Sequence, residues 1–180
     1  MIETEYFLEN DTNYSRYGRL DAWMWRWTPA TAPNTANAVT AREALSVIGN
    51  TGAARKIPVG VIGPRDATAK QLAGAEAIGT APGALGLSVI YGGRTGVMEA
   101  VSRGCLSAGG LTVGLLPDHD WRFANDFVAL PIATGLSEGR NMLIAASPVK
   151  NVVTLRVQLG MKYFTPSAMV VRRHGFQIPH

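Results

Sequence analysis

Three glycine-containing turns hold the residues of this chain that are best suited to binding a ligand, because such turns can hold a phosphate. They are Gly63-Pro64-Arg65, Gly92 to Gly96, and Thr134-Gly135. Glycine lets backbone amides approach an anion closely, and the N-terminus of a helix starting near Thr95 adds about half a positive charge. Arg65 and Arg94 can clamp the same anion through paired hydrogen bonds. The turns therefore predict a site for a phosphate or a nucleotide, although a tight strand-to-helix turn can also require glycine for its backbone alone.

The elements that must position these turns are strands and helices in alternation. Apolar runs predict strands over 57–62, 87–91 and 111–116, and helical spacing predicts helices from about residue 68, over 97–108 and over 137–146. Pro82 and Gly83 must end or kink the first of these helices. Alternating units of this length imply right-handed crossovers and a parallel sheet, whose carboxyl edge collects the three turns. We therefore predict an α/β fold with helices flanking a parallel sheet.

The first fifty residues have a different character. Trp23, Trp25 and Trp27 stand on alternate positions, which predicts a strand with one aromatic face, paired in a hairpin with an earlier strand near residues 6–8. Those tryptophans suit either base stacking or packing onto the domain edge, and we favour packing. Residues 29–40 have the composition of a linker, and Thr40 with Glu43 predicts a capping box for a short helix that ends at Gly49. The predicted units are an N-terminal hairpin, linker and helix over 1–50, a ligand-binding domain over 51–147, and a tail over 148–180.

Charge and cysteine content restrict the partners. Six of the 17 Lys and Arg follow Glu138, which is the last of the 13 acidic residues, so residues 1–138 carry 11 basic against 13 acidic side chains, a net charge of −2. The basic character of the chain therefore belongs to its tail, and we expect no nucleic-acid partner. The start of the chain has no apolar segment and no apolar run approaches 20 residues, which predicts no membrane partner. The single cysteine, Cys105, agrees with a reducing compartment, and we expect the cytoplasm.

A family resemblance rests on several of these segments together. VGVIGPR, YGGRTGVMEAVSRG, GGLTVGLLP, the isolated Asn125 and PIATGLSEGRNMLI resemble, in order and spacing, the segments of molybdenum-cofactor carrier proteins. These carriers belong to the same superfamily as the Lonely-guy phosphoribohydrolases. The resemblance covers about ninety residues and implies a Rossmann-like fold, homo-oligomerisation and an anionic nucleotide-like ligand.

The resemblance also implies which residues hold that ligand. By it, Gly92, Gly93, Arg94, Gly96 and Val97 form the phosphate loop. Asn125, Thr134, Gly135, Arg140 and Asn141 line the remaining pocket. The ligand implied is the molybdenum cofactor or a nucleoside monophosphate, and we expect no metal site in the chain itself.

The Lonely-guy branch offers the second interpretation, a phosphoribohydrolase that acts on a cytokinin-type nucleoside 5'-monophosphate. Arg140 in GRNM matches that branch's catalytic arginine. The partner glutamate belongs to a later loop, P-G-G-x-G-T-x-x-E, whose place here reads NVVTLRVQLGMKYF. Hydrolysis of an N-glycosidic bond needs a carboxylate near the anomeric carbon. Only Glu99 or Glu138 is available to replace it, so we interpret the protein as a non-enzymatic, carrier-like binder.

The tail has a reading-frame explanation. In the frame that starts at each codon's third base, Met161-Lys162 becomes glutamate and Met169-Val170 becomes glycine, the spacing of the family's E-I-A-L-A-L-x-x-G-K-P segment. We infer that residues from near Pro148 are out-of-frame sequence that replaces the second half of the domain. A truncated, non-functional product is one consequence, and a genuinely divergent strand and tail is the alternative.

Two further groups carry little chemistry. Asp118-His119-Asp120 contains metal-ligating types, but neighbouring residues in a loop point apart, and we expect a solvated loop. Cys105 with His119 lacks a third group and a nucleophile motif.

Overall fold

The computed structural model describes residues 6–146, which form two sheets with their helices. The predicted tail, 148–180, lies outside the described residues, and its frame stays a prediction. The first sheet is antiparallel, with strand order β4-β3-β2-β1-β5. Its strands are β1 Tyr6–Glu9, β2 Thr12–Ser15, β3 Gly18–Asp21, β4 Arg26–Thr28 and β5 Asn37–Val39.

The predicted hairpin is wrong in its pairing and the predicted linker in its extent. Strand β1 pairs with β2 and β5 and not with the tryptophan segment, and residues 37–39 of the supposed linker form β5. The prediction of one strand with three tryptophans on the same face is also wrong. The Asp21 Oδ1 atom accepts the N–H groups of Trp23 at 3.1 Å and Met24 at 3.0 Å, which bends the chain into a turn before β4. Trp25 lies in that turn with a φ of 50°, so β4 contains only Trp27.

Helix α1, Ala41–Asn50, begins at the predicted capping box. The Glu43 N–H donates to Thr40 Oγ1 at 3.2 Å, and the Thr40 N–H donates to Glu43 Oε2 at 2.7 Å. Hydrogen bonds from the backbone and side chain of Thr40 lower the pKa of Glu43. The helix runs one residue past Gly49. It contacts the first sheet through the buried Asn13, whose Nδ2 donates to the Ala44 carbonyl.

The second sheet confirms the predicted parallel α/β architecture. Its four strands pair in parallel and lie in chain order. Strand β9 was not predicted, because Pro131 interrupts its apolar run. The strands are β6 Val59–Gly60, β7 Val89–Tyr91, β8 Thr112–Leu116 and β9 Leu130–Ala133.

Helices cover the two faces of this sheet unequally. Helices α2 (Ala69–Ala84) and α3 (Val97–Ser107) pack on the face that contains Val89 and Tyr91, and α2 ends two residues after Pro82. Helix α4, Arg140–Ala146, follows a 3-10 turn at Ser137–Gly139 and packs on the opposite face against Ile90 and Leu115. The period of two along β7 separates these cores, as expected for a strand covered on both sides. Between residues 6 and 146, no helix has the length and apolar character needed to cross a bilayer.

Candidate functional site

The four parallel strands end at one edge, where their following loops enclose two adjacent cavities. The larger, about 350 Å³, is called the Arg140 cavity and lies between the loop after β6, Gly92 and α4. The smaller, about 200 Å³, is called the Phe123 cavity and lies between the glycine-rich loop after β7 and the loop after β8. Arg65 lines both cavities.

The residues predicted to bind a ligand divide between these cavities and the surrounding structure. Six of them line the Arg140 cavity, and four, with Arg65 shared, line the Phe123 cavity; the other five line neither. The first set is Gly63, Pro64, Arg65, Gly92, Arg140 and Asn141. The second set is Arg65, Arg94, Thr95 and Asn125. The third set is Gly93, Gly96, Val97, Thr134 and Gly135.

Arg140 is a buried cation with incomplete pairing. Its side chain is 4% exposed, and its Nη1 donates to the Ser137 carbonyl at 3.1 Å. The Glu138 carboxylate lies 3.5 Å from Nη1 but is 83% exposed, so water screens this ion pair. The Arg140 Nε is buried and has no hydrogen-bond partner among the described residues. A buried guanidinium in this state favours an anion beside it.

The glycines of the second turn have different neighbours. A Cβ built on Gly92 would come within 2.7 Å of Met98 Sδ and 2.8 Å of Arg140 Nη2, so the missing side chain lets these two cavity-lining groups approach the backbone. Gly93, with a φ of 70°, instead faces the Leu116 side chain, 2.6 Å from its would-be Cβ. Gly96, with a φ of 78°, lies against the Arg65 backbone. Gly92 is therefore the glycine of this turn that packs against side chains of the Arg140 cavity.

Contacts between the first and second turns fix their relative position. The N–H of Val97, the first residue of α3, donates to the Pro64 carbonyl at 3.1 Å. A Cβ on Gly63 would lie 2.4 Å from Val97 Cγ1, so Gly63 permits this close approach. The N-terminus of α3 has no side-chain cap. Met98, in its first turn, lines the Arg140 cavity, so the positive end of this helix lies beside that cavity.

Arg94, which was expected to clamp the anion, is paired with a carboxylate of the protein. Its Nη2 lies 2.9 Å from Asp118 Oδ2, and its Nη1 donates to the Phe123 carbonyl at 3.3 Å. Its guanidinium also stacks on the Phe123 ring, 5.4 Å from the centroid. Arg94 therefore fixes the wall of the Phe123 cavity, and its charge is compensated.

Asn125 holds the glycine-rich loop. Its Nδ2 donates to the carbonyls of Gly93 at 3.2 Å and Arg94 at 2.9 Å. Its Oδ1 accepts from the Ser102 hydroxyl at 3.2 Å and from the Phe127 N–H at 3.0 Å. These four bonds use the capacity of the amide. Asn125 is thus a positioning residue at the wall of the Phe123 cavity.

The third turn is a structural corner. The Thr134 hydroxyl donates to the Leu116 carbonyl at 2.7 Å and accepts the Leu136 N–H at 3.2 Å. Gly135 has a φ of 65° and packs against the His119 ring, which would lie 2.2 Å from a Cβ there. This turn carries the chain from β9 to Arg140.

The other candidate groups, which are acidic side chains and a cysteine, are ion-paired within the protein or buried. Asp118 pairs with Arg94, and Asp120 pairs with Arg122 at 2.7 Å. In the part of the chain that the structure describes, no three His, Cys, Asp or Glu side chains gather as metal ligands. Burial raises the pKa of the Cys105 thiol to about 11, so it is protonated near neutral pH and is not a nucleophile.

Several lining residues were not predicted. Val61, Ile62, Met98 and Ile144 give the Arg140 cavity an apolar side, and Phe123 and Ala124 line the smaller cavity. Their residue types carry no chemical signal. The position of Phe123, at the strand-end loop after β8, was a usable signal because loops at the carboxyl edge of a parallel sheet bind ligands.

Comparison with known proteins decides the family. The model of the SLOG cluster4 family matches residues 56–164, which is more than half of the chain. The chain belongs to this family. The resemblance to the Lonely-guy superfamily is thereby confirmed. The matched residues extend beyond residue 147 into the predicted tail. The domain boundary between residues 147 and 148 stays a prediction.

Individual relatives agree with this placement. An uncharacterised protein of Archaeoglobus fulgidus is 37% identical over 89 residues, which are 49% of this chain and 58% of that protein. The molybdenum cofactor binding protein of Rippkaea orientalis is 37% identical with a TM-score of 0.54, over 59% of this chain and 65% of that one. A Moco carrier protein from Chlamydomonas reinhardtii is 38% identical with a TM-score of 0.51, over 59% and 64%. The chain thus spans less than two thirds of these relatives.

Proposed function

We propose that this protein binds an anionic, phosphate-bearing ligand of the molybdenum-cofactor class in the Arg140 cavity and acts as a carrier-like protein. The observation that carries the proposal is Arg140, a buried guanidinium whose Nε has no partner in the described structure. A buried cation is costly unless it is paired, and a ligand phosphate supplies the strongest pairing that a guanidinium makes.

The surroundings of Arg140 support an anion at this place. The missing side chain of Gly92 lets Arg140 Nη2 lie against the backbone of the cavity, and the N-terminus of α3, which has no side-chain cap, adds partial positive charge beside it. Arg65 contributes a second, exposed cation. The cavity volume of about 350 Å³ falls within the range of small-molecule sites, roughly 300–1,000 Å³.

The molybdenum cofactor fits these residues as a cargo. It joins a pterin to a phosphate, so Arg140 and Gly92 would hold the phosphate while the apolar side of the cavity contacts uncharged parts. The relatives from Rippkaea orientalis and Chlamydomonas reinhardtii, which are described as a cofactor binding protein and a carrier protein, support this ligand class. The role of this chain's residues is to bind and orient the ligand.

Substitution of Gly92 tests the cavity. GMP is a stable probe because guanine has the same 2-amino-4-oxopyrimidine edge as a pterin. We expect Gly92→Ala to weaken GMP binding at least about ten-fold in calorimetric titration, the loss of one charge-assisted hydrogen bond. The new methyl group displaces the flexible ends of Met98 and Arg140, so the fold is retained.

Gly74→Ala is the matched control, because a Cβ there meets nothing within 4 Å. The control should bind GMP as the unchanged protein does. Equal affinities for the Gly92→Ala and Gly74→Ala proteins would contradict the proposal.

The phosphoribohydrolase is the second candidate, and the position of Glu138 favours it. Its carboxylate lines the same cavity, 3.5 Å from Arg140 Nη1, where it can stabilise positive charge on a sugar. Chromatography of the titrated samples decides between the two. The carrier proposal predicts GMP without free guanine, whereas guanine release that disappears in Glu138→Gln would support hydrolysis.

A further inference from the structure

We propose that the Phe123 cavity is a second subsite, which seats an uncharged planar heterocycle joined to the phosphate in the Arg140 cavity. This inference rests on the proposed function and adds to it the part of the ligand that gives specificity. It assigns a binding role to Phe123, which no sequence motif marked.

The Phe123 ring is fixed and available for stacking. It is 56% exposed, although it lies in a wall of the cavity. Arg94 stacks on the ring, and Asp118 and the Phe123 carbonyl hold the Arg94 guanidinium in turn. An aromatic side chain held in this way is a preorganised surface for a flat ring.

Two polar side chains of this cavity, Arg94 and Asn125, are paired within the protein, and its other cation, Arg65, is shared with the Arg140 cavity. The Asp118 carboxylate compensates Arg94 at 2.9 Å, and the Asn125 amide is fully used within the protein. The Arg94 Nε is buried and has no hydrogen-bond partner within residues 6–146. The protein therefore leaves one donor of this cavity-lining residue unpaired.

Size and position indicate that this cavity is part of a larger site. At about 200 Å³ it lies below the usual range for a complete small-molecule pocket, roughly 300–1,000 Å³. Arg65 lines both cavities, so the two are neighbours on either side of its side chain. A base or pterin against Phe123, with its phosphate beside Arg140, would occupy both cavities.

The test compares GMP with ribose 5-phosphate, which carries the phosphate and sugar without the ring. In calorimetric titrations of the full chain, we expect GMP to bind more tightly than ribose 5-phosphate. We expect Phe123→Ala to weaken GMP binding about ten-fold, the effect of losing one stacked base, and to leave ribose 5-phosphate unchanged. Trp121→Ala is the matched control, because Trp121 is 61% exposed on the same 3-10 turn and lines neither cavity. It should change neither affinity.

The other outcomes separate the two proposals. Unchanged GMP affinity in Phe123→Ala, or an equal loss for both ligands, overturns the subsite and leaves the phosphate site standing. Loss of both ligands in an Arg140 variant supports the phosphate site independently of Phe123. An unchanged protein that binds neither ligand overturns both proposals.

Discussion

Replacing Arg140 with methionine is expected to weaken ligand binding strongly while leaving the protein as stable as before or more stable. Methionine fills a similar volume, and it removes a buried charge whose Nε has no partner in the described residues. Replacement of buried ionic groups by apolar side chains is often neutral or stabilising, by about 1–4 kcal/mol. The Glu138 carboxylate is 83% exposed, so it does not become a buried unpaired charge.

The affinity for the ligand, in contrast to the stability, should fall. Truncation of one partner of a buried charge pair costs about 2–5 kcal/mol, so the affinity for GMP should fall at least about 30-fold. Calorimetric titration and thermal unfolding of the same sample measure both effects. Arg122→Met is the control, because Arg122 pairs with Asp120 and lines neither cavity. A large fall in melting temperature with unchanged affinity would make Arg140 a structural residue.

The second large effect concerns the contact between α2 and α3. Helix α3 begins directly after the glycine-rich loop. A Cβ on Gly79 would lie 2.0 Å from the Val101 carbonyl oxygen, and a Cβ on Gly104 would lie 2.0 Å from the Glu76 carbonyl oxygen. Each helix therefore meets the backbone of the other at a glycine. Gly79→Ala should force the helices apart and destabilise the fold by about 1–3 kcal/mol, because overpacking a dense core costs this much.

Gly74→Ala, in the same helix, should instead raise the free energy of unfolding. It meets no atom within 4 Å, and alanine is favoured over glycine in a helix by about 1 kcal/mol. The urea concentration at the midpoint of unfolding, followed by circular dichroism, compares the two variants. A lower midpoint for Gly79→Ala and a higher one for Gly74→Ala is expected. The same sign for both would show that α2 and α3 are not in contact as described.

Local sequence signals predicted the elements around the site. The capping box of Thr40 and Glu43 and the apolar spacing of 97–108 correspond to α1 and α3 within one residue or so. Both signals depend on neighbours three or four positions away, which the sequence displays directly. The carboxyl edge of the parallel sheet follows from the alternation of strands and helices, so the general place of the site was also predictable.

The roles of individual site residues were not predictable, since they depend on distant partners. Arg94 and Arg140 look equivalent as anion ligands until Asp118, 24 residues away, is found to pair with Arg94. Likewise Gly92 faces a cavity and Gly93 faces Leu116, although the two are adjacent. The N-terminal sheet was missed for a local reason, because the Asp21 side chain bonds the N–H groups of Trp23 and Met24 and turns the chain before Trp27 is reached.

A crystal structure of the full chain with bound GMP would show whether Arg140 holds the phosphate. We expect a phosphate oxygen within hydrogen-bonding distance, about 3 Å, of the Arg140 guanidinium and beside Gly92, with the guanine ring against Phe123. A phosphate bound elsewhere, with the Arg140 guanidinium unchanged and its cavity filled by water, would show that Arg140 is not the phosphate ligand.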